Sequence, residues 1–326
     1  MKKMITMLLV VLMFASLATA CAGKPVQEAY EPAEIRIGGL RGPTSMGMVQ
    51  LMELAEKGEA ANNYSFQIAG SADELTPKLL KGELDIAALP ANLASVMYNN
   101  TEKEIRLLAI NTLGVIYIVE TGDEIHSMKD LEGKTLYATG KGSTPEYALR
   151  YLLEENGVNP DADVRIEWKS EPTESVAILQ ESGGIAMMPQ PYVTVAQMQL
   201  GDLRVAVDFT REWDALDNGS TLITGVLVVR KAFAEQYPDQ IAAFLNEYRA
   251  STEYVNANIK EAAQLIEKFD IVKASVAERA IPYCYITCVT GEDMVEPMDG
   301  YLGVLYQQNP KAIGGSMPAE DFYYVP

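Results

Sequence analysis

Glycine and hydroxyl residues follow several predicted strands, where they could bind a small molecule rather than transform one. Residues 38–45 (GGLRGPTS) follow a predicted strand at 35–38, and residues 139–145 (TGKGSTP) open a predicted helix near residue 146. Glycine lets the backbone approach a ligand, and Ser or Thr before a helix caps it or donates a hydrogen bond. Because ligands of open α/β sheets lie beyond the carboxyl ends of strands, these turns predict a binding site.

The candidate ligand-binding residues lie at such strand ends or beside a predicted crossover. They are Gly39, Arg41, Thr44, Ser45, Ser71, Asn92, Thr112, Tyr117, Gly142, Ser143, Thr144, Gln190 and Tyr192. The Arg41 guanidinium could clamp a carboxylate or sulfonate, and Asn92 both donates and accepts, which suits a ring nitrogen. Tyr117 could stack on a ring. Helix capping is the alternative role for Ser45 and Asn92, and plain surface exposure for Arg41.

The sequence lacks the residue sets that catalysis needs. Its single histidine, His126, lies in the polar stretch 123–127, and no Ser-His-Asp set, metal-ligand cluster or Gly-Lys-Ser/Thr phosphate loop occurs. The Gly140-x-Gly142 pair lacks the third glycine of a dinucleotide signature. We therefore predict no enzymatic activity, no metal and no cofactor.

Charge limits the possible partners. The chain has 45 acidic and 26 basic residues, and loss of Lys2 and Lys3 with a leader would take its formal net charge from −19 to −21. Such a chain is repelled by phosphate backbones, which excludes nucleic acid as a partner, and by an anionic membrane surface.

The first 24 residues carry an export signal. Lys2 and Lys3 precede an apolar run over residues 4–17, and small residues then lead to Cys21. Residues 17–21 (LATAC) resemble a bacterial lipobox, although the leucine stands one place early. We expect a signal peptide at 1–20, a lipidated Cys21 with a tether at 21–32, and a lipid-anchored position at the outer face of the bacterial cytoplasmic membrane. The alternative is an ordinary cleaved signal with an incidental cysteine.

Strands and helices alternate after residue 32, which predicts parallel, doubly wound sheets. Crossovers near residues 110–116 and 222–228 divide the chain into two α/β lobes. The predicted first lobe comprises residues 33–112 and 226–326, and the second comprises residues 113–225. Cys284 and Cys288, four residues apart, suit either a helical turn or one face of a strand, and we favour buried thiols over a disulfide.

Several segments resemble type II periplasmic-binding proteins. They are residues 38–47, 79–87 (LLKGELDIA), 128–135 (MKDLEGKT), 140–144 and 185–191 (IAMMPQP). Through them the chain resembles ABC-importer solute-binding lipoproteins of the nitrate/sulfonate/taurine and thiamine-pyrimidine-precursor group. The likeness covers nearly all of residues 33–326.

The resemblance implies a monomer that closes two lobes over a small solute and delivers it to a membrane permease. It leaves the solute open. A planar heterocycle or anion related to thiamine or riboflavin precursors is our first expectation, and an aliphatic sulfonate is the second. Two further alternatives remain, a ligand-sensing receptor without transport and a lyase-type enzyme on the same fold.

Overall fold

Two β-sheets organise the part of the chain that the structure, a computed structural model, describes, residues 30–326. The predicted signal peptide and Cys21 lie outside the described residues. In spatial order the first sheet comprises β11 (Ile286–Thr290), β4 (Ile105–Leu113), β10 (Ile223–Arg230), β3 (Ile86–Pro90), β1 (Glu34–Leu40) and β2 (Asn63–Ala69). The second comprises β7 (Arg165–Lys169), β6 (Thr135–Thr139), β8 (Ile185–Pro189), β5 (Ile116–Glu120) and β9 (Arg204–Asp208).

Helices connect most of the strands. In chain order they are α1 (Pro43–Met46), α2 (Val49–Lys57), α3 (Ala72–Leu80), α4 (Ala91–Asn100), α5 (Thr144–Glu155), α6 (Pro172–Ser182), α7 (Tyr192–Leu200), α8 (Phe209–Ala215), α9 (Lys231–Gln236), α10 (Pro238–Ala257), α11 (Ile259–Lys268), α12 (Ala274–Ala280) and α13 (Val295–Gln308). Among the described residues, none of these helices is both long and apolar enough to cross a membrane.

Each sheet is mixed rather than purely parallel. Strands β1, β2 and β3 are parallel, as are β6, β7 and β8, which confirms the predicted βα winding. Strand β10 runs antiparallel to β3 and β4, and β5 runs antiparallel to β8 and β9. The chain enters the second sheet at β5 and returns to the first sheet at β10. These two strands run opposite to the parallel strands of their sheets.

The passage from the first sheet to the second is a sharp turn at Gly114 and Val115. Their φ angles are 57° and 68°. Glycine adopts such angles freely, whereas a β-branched residue there is strained. The turn joins β4 directly to β5, so the carboxyl end of β4 meets the start of β5. One apolar cluster contains buried residues of both sheets, among them Leu89, Ile118 and Val226.

The motif at residues 79–87 has a structural explanation. Gly82, with φ 72°, ends α3, and Asp85 then lies fully buried before β3. The Asp85 carboxylate accepts two hydrogen bonds from the Arg36 side chain and one from Arg230, at 2.7–2.8 Å. Arg36 lies on β1 and Arg230 ends β10, so one carboxylate ties three strands together.

Both cysteines of the described residues are free. Cys284 is fully buried, with its Sγ atom 3.8 Å from Met46 Sδ, and Cys288 is half-buried on β11. Burial raises the pKa of the Cys288 thiol to about 11. The preference for buried thiols over a disulfide is confirmed, although Cys288 is only partly covered.

Candidate functional site

The carboxyl ends of the two sheets contribute residues to one region beside the crossover at 111–115. The Asn111 amide donates to the Thr44 carbonyl at 3.3 Å, and Thr224 Oγ1 donates to the Thr112 carbonyl at 3.2 Å. Tyr117, on β5, donates to the Tyr283 carbonyl at 3.5 Å. Thr44, which follows β1, thus contacts the end of β4, the start of β10 contacts the end of β4 as well, and Tyr117 near the start of β5 contacts the segment before β11.

Gly225 permits close packing among Thr44, Asn111 and Thr112, which together we call the floor of the site. A Cβ atom there would lie 2.7 Å from Asn111 Oδ1, 2.7 Å from Thr44 Cγ2 and 3.0 Å from Thr112 Cβ. Thr112 is buried, and its hydroxyl donates to Asn111 Oδ1 at 3.1 Å. Thr44 is half-buried, so its side chain can still reach the surface of the site.

Two buried hydroxyl groups that follow strand ends, Ser45 Oγ and Thr210 Oγ1, have no hydrogen-bond partner among residues 30–326, as is also true of the hydroxyls of Ser175, Tyr248 and Thr252. The first two each lie over a glycine, since a Cβ at Gly39 would be 2.2 Å from Ser45 Oγ and one at Gly114 would be 2.2 Å from Thr210 Oγ1. Ser45 follows β1 of the first sheet, and Thr210 follows β9 of the second. Buried polar groups are normally paired, so these two hydroxyls are candidate contacts for a ligand.

Asn92 and Thr144, the candidates at the starts of α4 and α5, contact each other directly. Thr144 Oγ1 donates to Asn92 Oδ1 at 3.3 Å and accepts from the Tyr301 hydroxyl at 3.0 Å. The Asn92 amide donates to the Ala312 carbonyl at 3.0 Å. All three side chains are fully buried. The network joins α4, α5 and α13, so these polar groups are already hydrogen-bonded to one another.

The glycine turn before α5 is organised by its own helix. Glu146 accepts a hydrogen bond from the Gly142 amide at 2.7 Å and pairs with Arg150 at 3.0 Å. The Ser143 hydroxyl donates to the Gly140 carbonyl at 2.8 Å. Both candidates of this turn, Gly142 and Ser143, therefore take part in local capping.

Arg41 is engaged by the segment between α11 and α12. Its guanidinium donates to the carbonyl of Asp270 and lies 3.4 Å from the carboxylate of that residue. Tyr192, at the start of α7, lies near it. Burial raises the pKa of the Tyr192 hydroxyl, and the positive charge of Arg41 opposes this rise.

Ser71 and Gln190 serve as helix caps. Ser71 forms a capping box with Glu74 at the start of α3. Gln190 is buried, and its side-chain carbonyl accepts from the amide and the hydroxyl of Thr194, at 3.3 Å and 2.9 Å.

Several residues of the region were not candidates in the sequence. Asn111 and Thr210 lie next to the crossover, and Asp270, Tyr283 and Tyr285 come from distant parts of the chain. The strand-end rule would have found Asn111, which directly follows the strand that the sequence predicts over residues 106–110, and Thr210, three residues after the strand that it predicts over residues 203–207. No local signal marks the other three.

Comparison with known families agrees with this architecture. The model of the NMT1-like family matches residues 29–267, so the chain belongs to that family. No curated protein sequence matches the chain.

Solved structures resemble the chain over nearly its whole length. An ABC transporter from Parabacteroides distasonis is 23% identical with TM-score 0.74, over 89% of this chain and 98% of that chain. The alkanesulfonate-binding protein SsuA from Xanthomonas axonopodis, bound to MOPS, is 15% identical with TM-score 0.69, over 86% and 94%. A Candida albicans protein with the generic periplasmic-binding-protein fold is 12% identical with TM-score 0.59, over 89% and 92%. The predicted fold is confirmed.

Proposed function

We propose that this protein is the extracytoplasmic solute-binding lipoprotein of an ABC importer. The observation that carries the proposal is the pair of unpaired hydroxyls of Ser45 and Thr210, one from each sheet, at the strand ends beside the crossover. The likeness to ABC-importer binding proteins supports it. The function needs no bond-breaking step, so we expect the solute to be recovered unchanged.

The two lobes of the proposal are residues 33–112 with 226–326 and residues 113–225. Closure of such lobes on a solute is a hinge motion that a permease can recognise. Gly114 and Val115 lie where the chain first passes between the sheets, and we assign the hinge there. Cys21 would carry the lipid that holds the monomer at the outer face of the membrane.

A planar heterocycle related to thiamine or riboflavin precursors is the solute class we favour. Hydroxyl and amide side chains dominate the floor, and Tyr117 and Tyr192 supply rings for stacking. The candidate cation, Arg41, is already paired with Asp270. An aliphatic sulfonate is the second candidate, because the Xanthomonas axonopodis relative binds alkanesulfonates.

Thermal-shift screening of the purified protein against a metabolite library tests the function. A solute that binds only the folded protein raises the melting temperature by mass action. A sensing receptor would also give a hit, and uptake by cells that carry or lack the permease separates the two. A solute that is chemically altered during incubation would contradict the binding role in favour of a lyase.

The two unpaired hydroxyls provide the first variant test. We expect Ser45→Ala and Thr210→Val each to weaken binding of the library solute by about tenfold, because each removes a hydrogen bond to it. Stability should stay level or rise, since an unsatisfied buried group is lost. Calorimetric titration measures the affinity.

Ser175→Ala is the matched control for these hydroxyls. Ser175 Oγ is likewise buried without a partner among the described residues, but it lies within α6. We expect the same small effect on stability and no change in affinity. If Ser45→Ala, Thr210→Val and Ser175→Ala all bind the solute with equal affinity, the solute does not bind at Ser45 and Thr210.

Arg41→Ala discriminates between the two solute classes. For a planar heterocycle we expect less than about a fivefold loss of affinity, whereas an aliphatic anion would lose about a hundredfold or more with its charged partner. Tyr192→Ala removes a stacking face, so we expect it to weaken binding of a planar heterocycle more than binding of an aliphatic anion. The ratio of the two losses, measured by calorimetry, decides the class.

A further inference from the structure

Two exposed tyrosines flank a buried cysteine beside the candidate site. Tyr283 is 55% exposed and Tyr285 is 44% exposed, whereas Cys284 between them is fully buried against Met46. The cysteine therefore anchors the segment in the first lobe while both rings remain accessible. Exposed aromatic groups held in this way are typical of recognition sites.

The backbone at Tyr285 is strained. Its φ angle is 42°, which is rare for a bulky side chain. The surrounding structure imposes it, because the Tyr285 carbonyl accepts from the Leu113 amide at 3.3 Å and Ile286 pairs with Thr112 in the sheet. Strain that is enforced from both sides clusters at ligand sites.

A third tyrosine and a carboxylate reach the same place from the second sheet. The Tyr117 hydroxyl lies 3.5 Å from the Tyr283 carbonyl, and Tyr117 pairs directly with Asp208 across β5 and β9. Directly opposite residues share one face of a sheet, with Cβ atoms about 5 Å apart. Burial raises the pKa of the Tyr117 hydroxyl, and the negative charge of Asp208 adds to the rise.

The carboxylate of this group faces only a weakly held cation. Arg211 Nε lies 3.7 Å from Asp208 Oδ2, on a side chain that is 86% exposed. The other partner of Asp208 is the Thr210 amide, at 3.0 Å. The formal net charge of the whole chain, −19, also favours positively charged solutes.

We propose that Tyr117, Tyr283, Tyr285 and Asp208, the tyrosine subsite, bind a cationic group of the solute. Its chemistry would be a methylated ammonium or a positively charged ring nitrogen, since tyrosine faces attract cations and the carboxylate neutralises them. The proposal rests on the proposed function, because the subsite adjoins the same crossover and deepens the same site.

Pairs of cationic and neutral probes of equal shape test the subsite. Choline is compared with 3,3-dimethylbutan-1-ol, and 1-methylnicotinamide with nicotinamide, by calorimetric titration of the purified protein. At least one cation should bind about tenfold more tightly than its neutral partner. Equal binding within both pairs, or no binding of either cation, overturns the proposal.

Variants of opposite expected sign show whether Asp208 is the partner of the cation. Asp208→Asn keeps the cap of α8, because asparagine caps helices as well as aspartate does, and should remove most of the preference for the cation. Arg211→Ala removes the native cation and should raise the affinity for the probe several-fold. An unchanged preference in Asp208→Asn overturns the proposal.

Tyr285→Asn separates binding from packing. Asparagine tolerates positive φ, so the variant should raise the melting temperature while the preference for the cation falls several-fold. Tyr306→Ala, which removes a tyrosine that is 38% exposed on α13, should leave the preference unchanged. If Tyr285→Asn lowers the melting temperature, or leaves the preference intact, the assigned role is wrong.

Failure of the subsite and failure of the proposed function give different results. A neutral library solute that binds through Ser45 and Thr210, with no preference for cationic probes, removes the tyrosine subsite alone. A library without any binder removes the proposed function itself.

Discussion

Replacement of Asp85 by alanine is expected to lower the free energy of unfolding by about 3 kcal/mol, the lower end of the range for breaking a buried ion pair. Asp85 is fully buried and holds Arg36, on β1, and Arg230, at the end of β10. Its loss also leaves the Arg36 amide, 3.0 Å from Asp85 Oδ2, without this acceptor. The lower end applies because the Arg36 side chain is 43% exposed and can regain water.

Urea denaturation measures this effect, and an exposed pair provides the control. Arg165 pairs with Glu167 at 3.1 Å, but its side chain is 76% exposed, so Arg165→Ala should change stability by less than about 0.5 kcal/mol. Similar losses for the two variants would contradict the view that one buried carboxylate ties β1, β3 and β10 together.

The pH dependence of the Asp85 effect has a defined sign. Burial alone would raise the pKa of Asp85, but the hydrogen bonds from Arg36 and Arg230 outweigh it and hold the pKa below its usual value. A lowered folded-state pKa contributes stability above the unfolded value of about 4, and this contribution is lost as the pH falls through the folded value. The advantage of the wild type over Asp85→Asn should therefore be complete at neutral pH and shrink below about pH 4.

Gly225→Ala is expected to cost about 1–3 kcal/mol of stability, the usual range for overpacking. The new Cβ would lie within 3.0 Å of Asn111, Thr44 and Thr112, and Thr112 is held by its own strand, so the neighbours must move. Because Thr44 and Thr112 are candidate ligand-binding residues, we also expect the library solute to bind at least about tenfold more weakly.

Gly303→Ala is the matched control for that substitution. Gly303 lies within α13, and a Cβ there meets no atom within 4 Å. Alanine in an open helical position stabilises by up to about 1 kcal/mol, so the two Gly→Ala changes should have opposite signs. If Gly225→Ala stabilises the protein, the floor of the site can accommodate the added methyl group, and the overpacking argument is wrong.

Most of the βα order was predictable because apolar runs, glycines and prolines act locally. The apolar runs at residues 35–38, 64–69 and 184–188 each predict a strand, and the bounds of β1, β2 and β8 lie within one or two residues of them. The sequence also predicts a helix that begins at Pro238 and ends near Ala257, and α10 has these bounds. Such signals depend on nearest neighbours in the sequence, which remain neighbours in any fold.

The sequence pattern does not decide β11, and it does not predict α6, α7, α8 or α9. For residues 284–288 the spacing of the two cysteines suited a helix and a strand equally. Strand β11 exists because Ile286 and Val289 pair with Thr112 and Ile110 on β4, more than 170 residues earlier. Pairing of that range is a property of the tertiary structure, which no local pattern records.

The sequence by itself determined the family, the two α/β halves and the strand-end turns that could hold a ligand. Only the tertiary structure decided how those polar groups are used: Asn92 and Thr144 bond to each other, Gly142 is capped by Glu146, and Arg41 pairs with Asp270. Within residues 30–326 it also left the hydroxyls of Ser45 and Thr210 without a hydrogen-bond partner. The physical reason is that residue type fixes what a side chain can donate or accept, whereas contacts between distant segments decide which of those groups are already satisfied.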